Sequence, residues 1–356
     1  MRRSAWPDAL PGRRLLVVQT SFLGDVVLTT PLVSALRERL RPRHLAVLVR
    51  PEAAPLLEGH PDVDEVLVDD KYGRDRGLWG LARTARRLRR ASFDVAVSPH
   101  RSLRTALALA MAGVPRRVGF GSAHGAWLYH VRVGRDPERH DIERNLALLA
   151  PFGGPPVGRP RLFLPVSPAA QARAAELLPA GAGPLVGIAP GSVWRTKRWA
   201  PSGFAAVAAA LAADGVRVVI VGSVADRPVC EEVARASGGR AAMLAGQTDL
   251  ATLVAVIDRC AVLVCNDSAP MHIAGARNIP AVAIFCATTP ALGYGPWQSA
   301  STVLQADLAC RPCGRHGGQR CPRGTEDCMR LVPADRVLAA VRNLLGHRPR
   351  AGSAPS

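Results

Sequence analysis

The sequence predicts an α/β protein of two Rossmann-like domains, each a parallel sheet covered by helices. Three observations predict it. Short apolar runs alternate with helix-length segments between Leu15 and Ser98, and the same alternation restarts between Leu185 and Leu345. Strands and helices alternating at that length imply parallel crossover units. A Pro/Gly-rich stretch from Pro151 to Pro160 separates the two series, and 356 residues suit two domains of ~100–200 residues each.

The elements follow in order. Leu15–Gln19 is a short apolar strand that runs into a loop. Thr30-Pro31 starts a helix, because Pro is tolerated in a first turn. His44–Val49 and Val63–Val68 are strands, Leu78–Arg90 is a basic amphipathic helix, and Phe93–Ser98 is a further strand. The linker falls at Pro151–Pro160, with further breaks at Pro165–Pro168 and Pro179–Pro184 and a helix at Gln171–Leu178. This puts one domain at 1–160 and a second at 161–346. In the second, the strand Leu185–Ala189 precedes a helix at Ser202–Ala213. Val216–Val221, a helix through Glu231–Ala236, Leu250–Asp258, Ala261–Cys265, a helix from Ala269, and Ala281–Phe285 continue the alternation. Pro333–Leu345 is the last helix, and residues 347–356 are expected to be a disordered tail.

Composition narrows the class. Hydrophobic residues make up 48% and charged residues 21%, as in a globular protein, and with 4% aromatics the core must be built from Ala, Val and Leu. The net charge is +18, and of 46 basic residues only Lys71 and Lys197 are lysines. Such a balance favours anionic partners. Without a recognition motif it does not point to nucleic acid. Met1–Arg14 lacks the apolar core of a secretory signal. The run Leu15–Val33 comes nearest to a membrane span but is interrupted by Gly24 and Asp25. A cytoplasmic protein is expected, in which eight cysteines stay reduced.

In open α/β sheets ligands sit at the carboxyl ends of strands, so the loops there carry the chemistry. Thr20–Asp25 contains no Gly-x-Gly-x-x-Gly, and a carboxylate would repel phosphate. Asp25 therefore suits a base, or else simply favours the following helix dipole. The loop Ala189–Trp199 combines Gly191, the hydroxyls of Ser192 and Thr196, and the cations Arg195, Lys197 and Arg198. Such a set suits a diphosphate. Asn266-Asp267-Ser268 opens a helix that contains His272. These residues are ordinary N-caps, or they help the helix amides to hold a phosphate while Asp267 bonds sugar hydroxyls. Asp226, after Val216–Val221, either accepts from ribose hydroxyls or sits in a surface turn. Cys310-x-x-Cys313 with Cys321 and Cys328 could form a structural zinc site or a set of buried free thiols.

Together these pieces resemble glycosyltransferase family 9, the lipopolysaccharide heptosyltransferases. The resemblance spans Leu15 to Leu345. It rests on Ser21-Phe22-Leu23-Gly24-Asp25-Val26-Val27-Leu28, on Pro190-Gly191-Ser192 with Thr196-Lys197-Arg198-Trp199, and on Leu244-Ala245-Gly246-Gln247-Thr248. Asn266-Asp267-Ser268-Ala269-Pro270-Met271-His272, Arg117-Val118-Gly119-Phe120 and His140-x-x-x-Arg144-Asn145-Leu146 add to it. The four-cysteine segment resembles the C-terminal region of heptosyltransferase II-like members. Ala269-Pro270 and Cys286-Ala287 depart from the usual Gly-Leu and Gly-Pro.

The resemblance implies a GT-B fold with an interdomain cleft, acceptor bound by the first domain and nucleotide-sugar by the second. It implies inverting, metal-independent transfer of heptose from ADP-heptose to a Kdo- or heptose-bearing lipid A, without a cofactor. Asp25 would be the general base and Lys197 a catalytic cation. Ser192, Thr196, Asp226, Asp267, Ser268 and His272 would hold the donor. His100, Arg101, Arg104, Arg116 and Arg117 are candidates for the anionic acceptor or a solvated basic face. Peripheral contact of the Leu78–Arg90 helix with the anionic inner membrane is also expected. The alternative is another GT-B nucleotide-sugar transferase or epimerase.

Overall fold

The computed structural model describes residues 12–155, 160–297 and 299–346. The middle of the expected linker and the expected tail lie outside these residues. The chain gathers into two units, residues 1–165 and 166–356.

The first unit contains β1 (Arg14–Val18), α1 (Leu23–Val27), α2 (Thr30–Leu40), β2 (His44–Val49), β3 (Glu65–Val68) and α3 (Gly77–Ala91). It continues with β4 (Val95–Ser98), α4 (Leu103–Met111), β5 (Arg116–Phe120), β6 (Val131–Val133) and α5 (Asp141–Leu146). Its strands are parallel, in the order β3-β2-β1-β4-β5-β6. β1 is central: Leu15 pairs with Leu45 on one side and Val95 on the other. Strands covered on both faces must be apolar throughout, and Leu15, Leu16, Val17 and Val18 are all buried. α3 buries Leu81, Thr84, Ala85 and Leu88, the i, i+3, i+4, i+7 stripe of an amphipathic helix, and leaves its arginines outside. It stops at Ser92, which adopts a left-handed φ of 51°.

The second unit contains α6 (Pro168–Leu177), β7 (Leu185–Ala189), α7 (Pro201–Ala213), β8 (Arg217–Ile220), α8 (Arg227–Ala236), β9 (Ala242–Met243) and α9 (Leu250–Asp258). β10 (Val262–Asn266), α10 (Ala269–Ala276), β11 (Ala281–Phe285), β12 (Thr302–Gln305), α11 (Asp327–Arg330) and α12 (Ala334–Gly346) complete it. The sheet order is β12-β11-β10-β7-β8-β9, all parallel. Read from its own first strand, this is the same doubly wound order as in the first unit. Its core packs Val186, Ile188, Val264 and Ile284 against Trp199, Phe204, Leu211 and Val337.

This shared order has a functional consequence. The strand order reverses between β1 and β4 in the first sheet and between β7 and β10 in the second. Loops leaving the carboxyl ends of those strands diverge and open a crevice, which is where ligands bind in such sheets.

Several elements differ from expectation. β5, β6, β12, α4 and α5 are absent from the elements predicted above. β5 begins with two arginines and contains Gly119, where an added Cβ would lie 2.5 Å from the Tyr129 ring. That glycine is required by packing, so the strand lacks the usual β-branched run.

Candidate active site

In the first unit, Thr20 follows β1 and His100 follows β4. Their side chains meet across the crevice, Thr20 Oγ1 lying 3.0 Å from His100 Nδ1. Thr105 Oγ1 lies 3.0 Å from the same nitrogen. Burial, then the charges of Lys71, Arg101 and Arg50, push the His100 pKa down to about 3. His100 is therefore neutral at working pH and can contact an anion only as a dipole. Lys71 Nζ donates to the Thr20 carbonyl at 2.6 Å, and Arg50 lies over the rings of Phe22 and Tyr72. Neither Lys71 nor Arg50 was singled out from the sequence as an acceptor contact. Lys71 did carry the signal that drew attention to Lys197, scarcity of lysine.

Asp25 sits in the single turn of α1. Ser21 Oγ donates to its Oδ2 at 2.7 Å and the Phe22 amide to the same oxygen at 3.2 Å. Oδ1 receives no hydrogen bond among the described residues. Burial and the nearby Asp141 carboxylate raise the Asp25 pKa to about 6, against the pull of Ser21, Phe22 and Arg135. Asp141 is itself paired with Arg135 and, at 3.5 Å, with Arg144. Asn145 Nδ2 donates to the Leu28 carbonyl at 3.3 Å, tying α5 to the turn after α1. The segment His140–Leu146 thus places a second carboxylate near Asp25. Asp141 and Arg135 escaped the sequence reading.

The structure separates the remaining acceptor candidates. Arg101 follows β4 beside His100. Arg104 instead bonds Asp69 at 3.1 and 3.3 Å and the carbonyls of Gly77 and Asp75. Its guanidinium is used to brace the β3–α3 loop. Arg116 and Arg117 pair with Val95 and Ala96 at the amino end of β5, the opposite edge from His100. Arg117 also donates to the carbonyls of Leu128 and Val114. The guanidinium groups of Arg104 and Arg117 are thus engaged by backbone carbonyls of neighbouring loops, while Arg116 is placed only by its backbone register.

In the second unit, Lys197 Nζ contacts Asp267 Oδ2 at 2.7 Å across the crevice between β7 and β10. Thr288 Oγ1 donates to the same oxygen at 2.6 Å. Asn266 is fully buried and locks both loops: its Oδ1 accepts from the Trp199 amide at 2.9 Å and its Nδ2 donates to the Pro190 carbonyl at 2.8 Å. Ser192 is buried, and its carbonyl accepts two bonds from Arg198. Asp226 accepts from the amide and hydroxyl of Ser223. It presses so closely on Gly191 that a Cβ there would lie 2.3 Å from its carboxyl carbon, so glycine is needed at 191. Ser268 makes no side-chain cap; in the first turn of α10 the Met271 amide donates to the Ser268 carbonyl at 3.1 Å, and Pro270 has no amide hydrogen to offer. His272 is buried one turn into that helix.

Thr196 differs from expectation. Its amide donates to the Gly318 carbonyl at 3.0 Å, its hydroxyl accepts from the Gly318 amide at 2.8 Å, and its carbonyl accepts from Ala287. It is the anchor between the basic loop and the cysteine-rich segment. Arg195 pairs with Glu326, and Gln319 Nε2 donates to the Val193 carbonyl at 3.1 Å. Arg311 spans the carbonyls of Phe285, Cys286, Thr288 and Ala306. Residues 310–329 therefore back the Ala189–Trp199 loop, a role that cysteine spacing could not disclose. Cys310, Cys313, Cys321 and Cys328 are free thiols. No group of three or more His, Cys, Asp or Glu among the described residues forms a metal-holding set. As placed, the four thiols do not form the zinc site that was one of the two readings of their spacing.

Two parallel sheets of one doubly wound order, each with polar side chains gathered at its switch point, define the GT-B class of glycosyltransferases. Within that class, the model of glycosyltransferase family 9 (heptosyltransferase) matches residues 81–320, and the chain belongs to that family. The chain is 28% identical over 293 residues to lipooligosaccharide heptosyltransferase 2 of Haemophilus influenzae, covering 78% of this chain and 84% of that one. Lipopolysaccharide heptosyltransferase 3 of Escherichia coli is 26% identical over 339 residues, 91% and 96% of the two chains. Among solved structures, the E. coli ADP-heptose lps heptosyltransferase II aligns with a TM-score of 0.78 at 25% identity, covering 93% of this chain and 98% of that one. The family 9 glycosyltransferase of Veillonella parvula aligns at 0.86 with 24% identity, covering 96% and 100%, which speaks to the fold.

Proposed function

We propose that this enzyme, a heptosyltransferase of lipopolysaccharide core synthesis, takes heptose from ADP-heptose and delivers it to a Kdo- or heptose-bearing lipid A with inversion. The observation that carries this reading is Asp25, a carboxylate with one unbonded oxygen and a pKa raised to about 6. A base poised below neutral pH is ionised at pH 7 yet still basic enough to share a proton in the transition state. Asp25 Oδ1 accepts the acceptor hydroxyl's proton as that oxygen bonds the anomeric carbon. The bond from that carbon to the β-phosphate oxygen breaks at the same time, and ADP leaves with the electron pair. One displacement inverts the centre.

The departing diphosphate is stabilised by Lys197 and Ser192, a charge and a dipole held in place by the loop that carries them. They take the place of a divalent ion. Lys197 is released from Asp267 as phosphate arrives, which frees that carboxylate for sugar hydroxyls alongside Ser268 and His272. Asp226 accepts from the ribose. On the acceptor side, Lys71, Arg50 and Arg101 supply the positive charge and His100 a neutral contact. The lipid acceptor places the reaction at the inner leaflet of the inner membrane, on its cytoplasmic face.

The deciding experiment is turnover of ADP-heptose against a panel of Kdo- and heptose-bearing lipid A acceptors. Transfer to one member with inverted configuration supports the reading. Hydrolysis or epimerisation of the nucleotide-sugar without transfer overturns it.

A further inference from the structure

We propose that the outward face of α3 is a docking surface for an anionic phospholipid membrane. Arg74, Arg83, Arg86, Arg87 and Arg90 line a recess of about 520 Å³ on the first unit. Among the described residues their guanidinium groups pair with one carboxylate: Asp75, wholly buried, contacts Arg83 at 3.4 Å and Arg74 at 3.6 Å. Arg87 is spent on the Val68 carbonyl, while Arg86 and Arg90 are exposed and have no ion pair or hydrogen bond among the described residues. Converging guanidinium groups repel one another unless an anion sits among them.

The second observation is apolar. Leu78 and Trp79, in the first turn of α3, are 82% and 81% exposed, and Tyr72 in the loop before it is 71% exposed. Trp79, Arg83, Arg86 and Arg90 follow the i, i+4, i+7, i+11 spacing of one helical face. The buried stripe Leu81, Thr84, Ala85 and Leu88 is the other. A tryptophan and a leucine at the head of an arginine track match an element that lies in a membrane interface, rings among the acyl chains and guanidinium groups on the phosphates. Large apolar side chains gain nothing from a purely aqueous polyanion. The head of α3 leaves the same sheet edge as Lys71, which bonds the Thr20 carbonyl. Docking by this face would thus bring the acceptor-side crevice to the lipid surface. The choice of a membrane as occupant rests on the acceptor's being a membrane lipid.

The test uses the full chain and vesicles that contain no acceptor. Binding to phosphatidylcholine vesicles is compared with binding to vesicles that also contain phosphatidylglycerol, at low and high salt. Binding should require phosphatidylglycerol and fall with salt. Arg86→Glu with Arg90→Glu should weaken it by more than about tenfold, since each basic residue contributes ~1 kcal/mol near such a surface. Trp79→Ser should weaken it several-fold. Thermal melts of these surface variants should match wild type. Equal binding to neutral and anionic vesicles, or binding unchanged in the double variant, would overturn the proposal. So would competition by inorganic phosphate with Trp79→Ser silent, which would mark the recess as a free-anion site. Duplex DNA binding as tightly as the vesicles, again indifferent to Trp79, would equally overturn it. Turnover on detergent-dispersed acceptor reports separately on the transferase reading, and the docking variants should keep it.

Discussion

Asp25 illustrates how one residue's chemistry and stability are set by the same surroundings. Its raised pKa means the folded state binds a proton more tightly than the unfolded chain does. Its contribution to stability is therefore fully present below the unfolded value of 3.8 and is lost as pH rises through about 6. Asp25→Asn removes that cost. The variant should be more stable than wild type at pH 8 by about 1–3 kcal/mol and indistinguishable at pH 3.5, read by denaturant melts. Its transfer rate should fall ~10²–10⁴-fold with ADP affinity unchanged. In the wild type kcat should decline below pH 6. Retained turnover in the variant would reduce Asp25 to a helix-start residue.

Lys197 makes a contrasting case. Lys197→Ala leaves Asp267 buried without its cation, and losing one partner of a buried pair typically costs about 3–5 kcal/mol. Adding Asp267→Asn should restore most of the melting temperature while donor binding stays weak. Recovery of both together would mean that the lysine serves only the carboxylate. At this scale the sequence announced what was chemically rare: a lysine among 44 arginines and a carboxylate in a loop unsuited to phosphate. It did not announce Asp141 or Thr288, which reach the site only through space. Nor could it tell Arg101 from Arg104 or Arg117, because the carbonyls that satisfy the latter two come from other loops.

Among the elements, strands written as apolar runs were legible, the half-buried edge strand β3 among them, whereas β5, inside the same sheet, was not. β2, β7 and β11 stand out as continuous apolar runs. The edge strands β12, half-buried, and β9, two residues long, carry no such pattern. Gly191 was noted for its loop, but the contact that demands it, the Asp226 carboxyl, belongs to a different strand end. The cysteine-rich segment was legible as a compact unit and not as a brace. Its tie to the donor loop can be tested at Glu326. Glu326→Ala frees Arg195 and should weaken donor binding modestly, read as a raised KM with kcat nearly unchanged. An equal fall in kcat and kcat/KM would instead put the pair in the transition state.

For the molecule as a whole, the +18 charge bears on how a diphosphate is discharged. A transferase must neutralise its leaving group either with a divalent ion or with fixed cations. An ion needs carboxylates turned toward the phosphates. In the second unit, Asp267 is taken by Lys197 and Thr288, and Asp226 by Ser223. The basic loop carries Lys197 to the β7–β10 crevice, while Arg198 holds the Ser192 carbonyl and Arg195 pairs with Glu326. On the proposed reading Lys197 takes the place of an ion, and it is in position before substrate arrives. Turnover should therefore persist in EDTA, measured as ADP release with acceptor present. Loss that magnesium restores would show that an ion shares the leaving-group charge. Loss that only zinc restores, with a lowered melting temperature, would return the metal to Cys310, Cys313, Cys321 and Cys328 as a support for the loop that Lys197 stands on.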